Sequence, residues 1–304
     1  MRGSLLVKFA QSLFFTLGFL VAQVAFGQSE PSASHLWERA AYGDMPGLQL
    51  LTLEGRNPAI TTTYEPLWGE SAAYTPLTAA MSTPYCASSS ANDTSAGTGA
   101  RTISVTGVNT SYARFTETVT MNGQTSVNLA TANVLFIDKI TVLTAGSGLV
   151  NAGIVQCGTG ANTAGDPAVT HQYLGVSSAT AVPAAGAGFG NVSQSFMYAV
   201  PDNYQLICRN ISCGSVFATA AAGHECAIDG YAGTTGVFKR YFSQAQHNTG
   251  SNPGGFNGFV KFPEQTLIIG KMAGVTGADV GPASMHADCL LISDTWQDTS
   301  QGVF

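Results

Sequence analysis

Two short stretches bring histidine, a carboxylate and cysteine together: His224-Glu225-Cys226 and His286-Ala287-Asp288-Cys289. Those residue types offer two kinds of chemistry, a metal site of imidazole, carboxylate and thiolate, or a cysteine nucleophile with a histidine base. Strand alternation argues against both, because it puts His286 and Asp288 on one face and Cys289 on the other. That is the sidedness of solvent-facing polar groups beside a buried thiol. A third candidate is the glycine-rich run from Asn92 to Arg101, Asn-Asp-Thr-Ser-Ala-Gly-Thr-Gly-Ala-Arg. A phosphate loop needs lysine directly after its last glycine and then a helix, and a dinucleotide fingerprint needs a glycine where Thr102 stands. The chain continues instead as Thr-Ile-Ser-Val-Thr, a period-2 pattern that predicts a strand.

The other candidates are thinner. Glu117 and Asp138 are the carboxylates nearest to a glycosidase pair, but Glu117 lies in the threonine-rich run Thr116 to Thr120, an ordinary β surface with nothing placing a second carboxylate opposite it. Tyr231, Phe238, Tyr241 and Phe242 offer ring faces for stacking on sugars, although strand cores use the same residues. The sequons at Asn92, Asn109, Asn191 and Asn210 bear on a eukaryotic secreted protein alone. The six cysteines, at 86, 157, 208, 213, 226 and 289, form no C-x-x-C and no zinc spacing, and read as small buried thiols too sparse for a disulfide scaffold. In one regular strand Cys208 and Cys213 face opposite ways and do not bridge. No catalytic, cofactor-binding or metal-binding residue is assigned, and no cofactor is expected.

The elements that position these residues read as all-β. The chain has 304 residues, 35 of them glycine, and 10% charged residues, a composition suited to many strands and turns. So few ions leave much of the surface neutral or packed against something, which assembly explains. A formal charge of −6 with scattered Lys and Arg argues against nucleic acid as a partner.

Residues 1–34 form an apolar N-terminal arm or signal-like segment plus a polar linker. Phe9 to Gly27 carries no charge and follows Arg2 and Lys8, with Ala25-Phe26-Gly27 as a small-residue cleavage site. A secretory signal peptide ranks first by pattern. As a helix the segment also reaches about 28 Å, enough for a membrane anchor, and Gln11, Ser12, Thr16 and Gln23 fit a helical arm on a partner protein. A brief helix over His35 to Tyr42 is capped by Ser34 and ended by Gly43. Residues 35–160 read as a first β domain, a meander of strands at 101–108, 113–121, 124–129 and 134–143 with a type I′ hairpin at Asn122-Gly123. Residues 161–190 read as a Gly/Ala-rich connector around a short strand near 172–176, and 191–304 as a second β domain. The expected fold is two β-sandwich or jelly-roll-like units with a short N-terminal helical arm.

The string Ser89-Ser-Ala-Asn-Asp-Thr-Ser-Ala-Gly-Thr-Gly-Ala-Arg-Thr102, the Glu117-Thr-Val-Thr-Met-Asn-Gly123 segment and residues 144–153 resemble a family of virion proteins encoded by aquatic tailed phages. The resemblance extends more loosely to 40–57, 196–210 and 262–272, and so covers about residues 36–295. Such proteins are similar to capsid decoration or cement proteins, β-rich modules that clamp neighbouring coat subunits. The apolar leader is not expected in that family. The resemblance implies a non-enzymatic virion structural protein on the capsid exterior, a homo-oligomer with a trimer favoured, and the major capsid protein as partner. The alternative from the residues is a receptor- or glycan-binding adhesin, on a virion fibre or as a secreted cell-surface protein.

Overall fold

The structure is a computed structural model that describes residues 33–43, 45–70, 73–175, 191–215, 223–247, 255–275 and 281–296. The leader at 9–27 and its membrane, signal or arm readings lie outside the described residues. The chain divides into two compact units, Met1–Pro46 and Gly47–Phe304. In the first, helix α1 (Ala33–Ala41) covers most of the expected stretch but begins before Ser34, which lies inside the helix rather than at its cap. Gly43 follows it at φ 73°, a left-handed residue that ends the helix without Cβ strain.

The second unit is all-β. Its strands are β1 (Leu48–Ile60), β2 (Glu65–Pro66), β3 (Tyr85–Ser88), β4 (Ala100–Asn109), β5 (Arg114–Thr120), β6 (Val127–Asn128), β7 (Val134–Ala145) and β8 (Val155–Thr163). They continue with β9 (Asp166–Leu174), β10 (Met197–Ala199), β11 (Tyr204–Ser215), β12 (Gly223–Ala232), β13 (Val237–His247), β14 (Val260–Phe262), β15 (Thr266–Gly274) and β16 (Gly281–Ser293). Two sheets, ordered β1-β16-β11-β14 and β10-β15-β12-β13 with β2 beside β15, share one apolar core. Leu53, Leu206 and Met285 enter it from the first sheet, Ile228, Ile268 and Met272 from the second. The other two sheets, β6-β3-β8-β9 and β5-β4-β7, share a second core around Ile103, Val119, Ile137, Val155 and Leu174. A third cluster, with Trp68, Tyr74, Phe136, Met197 and Ile269, draws residues from both sheet pairs.

The expected boundaries at 160 and 191 are corrected by the pairing. β1, from the first stretch, pairs with β16 from Leu48↔Ile292 to Asn57↔Ala283, so both ends of the second unit lie in one sheet. Residues 161–175 are not connector: they complete β8 and form β9, and 176–190 lie outside the described residues. The hairpin is corrected as well. At Asn122-Gly123 only the glycine has positive φ. Its N–H donates to the Asp93 carbonyl and its carbonyl accepts from Ser88, so the turn is tied to a neighbouring loop. β6 then pairs with β3 rather than β5, which breaks the expected meander. A hairpin with positive φ at both central residues occurs instead at Ala164-Gly165, between β8 and β9.

The cysteines are corrected most strongly: all six are in disulfides. Cys86–Cys157 and Cys208–Cys289 join residues directly opposite on paired strands, with Cα atoms 4.1 and 4.0 Å apart. That is close to the narrow kind of antiparallel pair, where side chains approach each other. Cys213–Cys226 links β11 to β12 and so ties one sheet of the first sandwich to the other. Cys208 and Cys213 do not bridge each other, but the expected opposite facing is corrected: a register shift between Arg209 and Ser212 turns both into the same core, each toward a different partner.

Replacing Cys208 and Cys289 together by alanine is expected to lower unfolding free energy by about 4 kcal/mol, and the shorter Cys213–Cys226 loop by about 3. Denaturant unfolding checks both. Equal curves with and without reductant would remove the disulfides from the account.

Candidate functional site

The glycine-rich run at 92–101 folds around a carboxylate. Asp93 is fully buried, and its oxygens accept from Ser88 Oγ at 2.6 Å and from the N–H groups of Ala100, Ala152 and Gly153 at 2.6, 2.8 and 2.9 Å. A desolvated carboxylate is costly unless donors of this kind surround it. Gly99 is required there, since a Cβ on it would lie 2.1 Å from Asp93 Oδ1. Arg101 turns back to donate from Nε to the Gly97 carbonyl. The loop's N–H groups thus converge on an anion, but the anion is the chain's own side chain.

Two more buried carboxylates are matched in the same way. Asp138 on β7 pairs with Arg114 of β5 and accepts the Ala199 N–H at 2.9 Å. Burial raises its pKa, and the Arg114 guanidinium pulls it back only in part. Asp229 on β12 is 1% exposed and meets Arg240 Nε at 3.0 Å and Lys271 Nζ at 3.1 Å. The cations lie among rings: Arg240 is 4.1 Å from the Tyr64 ring centre, and Lys271 donates to the Tyr231 hydroxyl at 2.7 Å. Burial, then a hydrogen bond with Glu225, pushes the Tyr64 hydroxyl up to about 12. Glu117 is held by the backbone N–H groups of Ala130 and Thr131 and by the Thr131 hydroxyl. Burial pushes its pKa up, but these hydrogen bonds outweigh it and the net shift is downward. Glu117 and Asp138 are each engaged by a different partner.

His286 and Asp288 share the outer face of β16 as expected, and Cys289 points into the core, oxidised rather than a free thiol. His286 Nδ1 lies 3.3 Å from Glu54 and Nε2 3.4 Å from Asp288. Both ring nitrogens face carboxylates, which leaves neither for a hydroxyl. His224 Nδ1 lies 2.9 Å from Ser215 Oγ, a nucleophile–base distance, yet the nearby Cys226 is in a disulfide. Among the described residues no group of three or more His, Cys, Asp or Glu suits a metal ion.

Of the four aromatics, Phe242 belongs to a core, while Tyr241 and Tyr231 are partly buried and each packs against one. Register slips between Ile228↔Phe242 and Asp229↔Arg240, so Tyr241 is an extra residue on β13 and packs on the same core as Phe242. Tyr241 stacks 4.9 Å from Phe262 and Phe242 5.2 Å from Phe256. Phe238 stays half exposed beside Tyr231. Three sequon asparagines have structural roles: Asn109 Oδ1 caps a turn, Asn191 bonds the Leu149 carbonyl, and Asn210 bonds Asp288.

No protein-family model matches the chain, and no curated protein matches it. Among solved structures it aligns with the Gt strain of infectious bursal disease virus at 13% identity and a TM-score of 0.19, over 82% of this chain and 73% of that one. Particles derived from the same virus align at 14% identity and 0.18, over 82% and 71%. At those scores the overlap carries no argument about fold or function. Among the described residues no helix is long and apolar enough to cross a membrane.

One buried group remains sensitive to acid. His171 on β9 is 3% exposed, packs against Tyr74, and has no hydrogen-bond partner at Nδ1 among the described residues. Burial lowers its pKa from 6.5 to about 4. The unfolded chain therefore takes up the proton first, so stability is full above pH 6.5 and falls as pH drops toward 4, by about 3 kcal/mol in all. His171→Phe should flatten the stability profile between pH 6.5 and 4.5. An unchanged acid limb would exclude His171 as its source.

Proposed function

We propose that this is a non-enzymatic structural protein of a virion, an all-β module that decorates or cements the shell. The observation that carries the reading is the destination of the buried carboxylates. Asp93, Asp138, Asp229 and Glu65 each bind donors from other strands or loops, Glu65 through Asn57 and Thr61. Such groups hold a scaffold rigid and are themselves engaged rather than poised as acids or bases. The resemblance of residues 89–123 to phage virion proteins supports the same reading, because that string builds the Asp93 loop. Three disulfides suit oxidising surroundings, as on a virion exterior or in a secreted protein. In this proposal the major capsid protein is the partner and the working state is a homo-oligomer, with a trimer favoured. A low-charge surface favours both, since it desolvates cheaply.

A second reading, a glycan-binding adhesin, is favoured by Phe238 alone, a ring half exposed beside Tyr231 and two cations. Density-gradient fractions of the source culture, read by mass spectrometry, separate the two. The chain is expected to sediment with intact particles and their coat protein. Recovery only in particle-free fractions, with a hit on a glycan array lost in Phe238→Ala, would replace the first reading by the second.

A further inference from the structure

Asparagine followed by glycine occurs twice in the chain, at Asn122-Gly123 and at Asn257-Gly258. The pair carries a chemistry of its own, because the glycine nitrogen lies within reach of the asparagine side-chain carbonyl carbon and no Cβ hinders the approach. Ring closure needs that nitrogen to turn toward the side chain, so a backbone held by hydrogen bonds resists it. The two sites differ on this point.

At Asn122-Gly123 both residues are held. The Gly123 N–H donates to the Asp93 carbonyl at 2.7 Å, and the Gly123 carbonyl accepts from Ser88 at 2.8 Å. Asn122 bridges to Thr94, and its carbonyl accepts from the Thr125 N–H at 3.1 Å. Gly123 is buried, with Ala91 so near that a Cβ would lie 3.1 Å from its Cα.

Asn257-Gly258 lies instead in a gap of the ladder between β11 and the stretch leading into β14. Phe256 exchanges both backbone hydrogen bonds with Ile211, and pairing resumes at Val260↔Cys208. Asn257, Gly258 and Phe259 thus stand opposite Arg209 and Asn210, three residues against two, which makes a bulge. Asn257 is exposed, and among the described residues the Gly258 N–H donates to no backbone carbonyl. A side chain on Gly258 would press on the Phe256 ring, which packs against Phe242, so glycine suits this place.

We propose that Asn257 is a site of spontaneous deamidation, from which the Asp93 loop protects Asn122. The Gly258 nitrogen forms a bond to Asn257 Cγ, the Cγ–Nδ2 bond breaks, and ammonia leaves with the proton of the Gly258 N–H, giving a succinimide. Water then adds at either ring carbonyl and opens the ring, to aspartate or to isoaspartate with the main chain lengthened by one carbon. The bulge absorbs that carbon, since residues 257–259 have no ladder partner among the described residues. Each event adds a negative charge between Phe256 and Phe259, which with Tyr241 and Lys261 line a groove of about 450 Å³. Lys261 is the one charged residue in that lining among the described residues, and the new carboxylate offsets it. The inference stands apart from the virion reading, because the purified chain alone tests it.

The full chain, folded and with its disulfides intact, is held at mildly alkaline pH and sampled by peptide mapping with mass spectrometry. Each conversion raises the mass by the difference between water and ammonia. In the folded chain Asn257 should convert at least about tenfold faster than Asn122, because the Asp93 loop must open before the second site can react. In denaturant the two rates should fall within about threefold of each other, since local opening then gates neither site. Asn257→Gln should slow the build-up of the more acidic charge form by about tenfold or more and leave the melting temperature unchanged. Should that variant fail to fold, the two rates in the unaltered chain carry the test. Equal rates in the folded chain, or a faster reaction at Asn122, would overturn the proposal. So would an Asn257 that converts in denaturant alone, or an acidic form that builds up unchanged in Asn257→Gln.

Discussion

A carboxylate removed from water costs several kcal/mol unless donors replace the lost hydration. In a chain with 10% charged residues that constraint shapes the fold. At Asp93 one side chain gathers the loop before β4 and the turn before β8, through Ala100 on one side and Ala152 and Gly153 on the other. Ser88 Oγ brings the end of β3 to the same point, and the Asp93 carbonyl receives Gly123. Three connections, β3–β4, β5–β6 and β7–β8, thus converge on one residue. Hydrogen bonds to a charged group contribute about 1.5–3 kcal/mol each, enough together to outweigh the desolvation.

The disulfides complement this arrangement. Cys86–Cys157 lies in the sheet next to the Asp93 loop, and the other two bridges hold the sandwich that contains β1 and β16. Such links act mainly by restricting the unfolded chain, so they add stability where few ion pairs are available.

What could be read from the sequence follows from local periodicity. Strand alternation placed His286 and Asp288 on the face opposite Cys289, and the all-β class and the short helix also came from local pattern. What could not be read depends on pairing between distant residues. Cys86 and Cys157 are 71 residues apart and meet only because β3 and β8 are neighbours. Asn122-Gly123 carries a strong hairpin signal, but the Asp93 loop claims its backbone. A single extra residue in β13 lets Tyr241 and Phe242 pack on the same core, which no strict alternation predicts. The pairing of β1 with β16 was equally hidden, since the two strands lie at opposite ends of the unit.

The central claim is that the Asp93 carboxylate organises the loops around it. Hydrogen exchange on Asp93→Asn tests it most directly, because one acceptor oxygen becomes a donor amide whichever way the side chain turns. The account predicts a loss of about 3 kcal/mol or more, with faster exchange concentrated at Ala100, Ala152 and Gly153 and little change in the ladder between β11 and β16. Wild-type stability with unchanged protection at those three amides would contradict it.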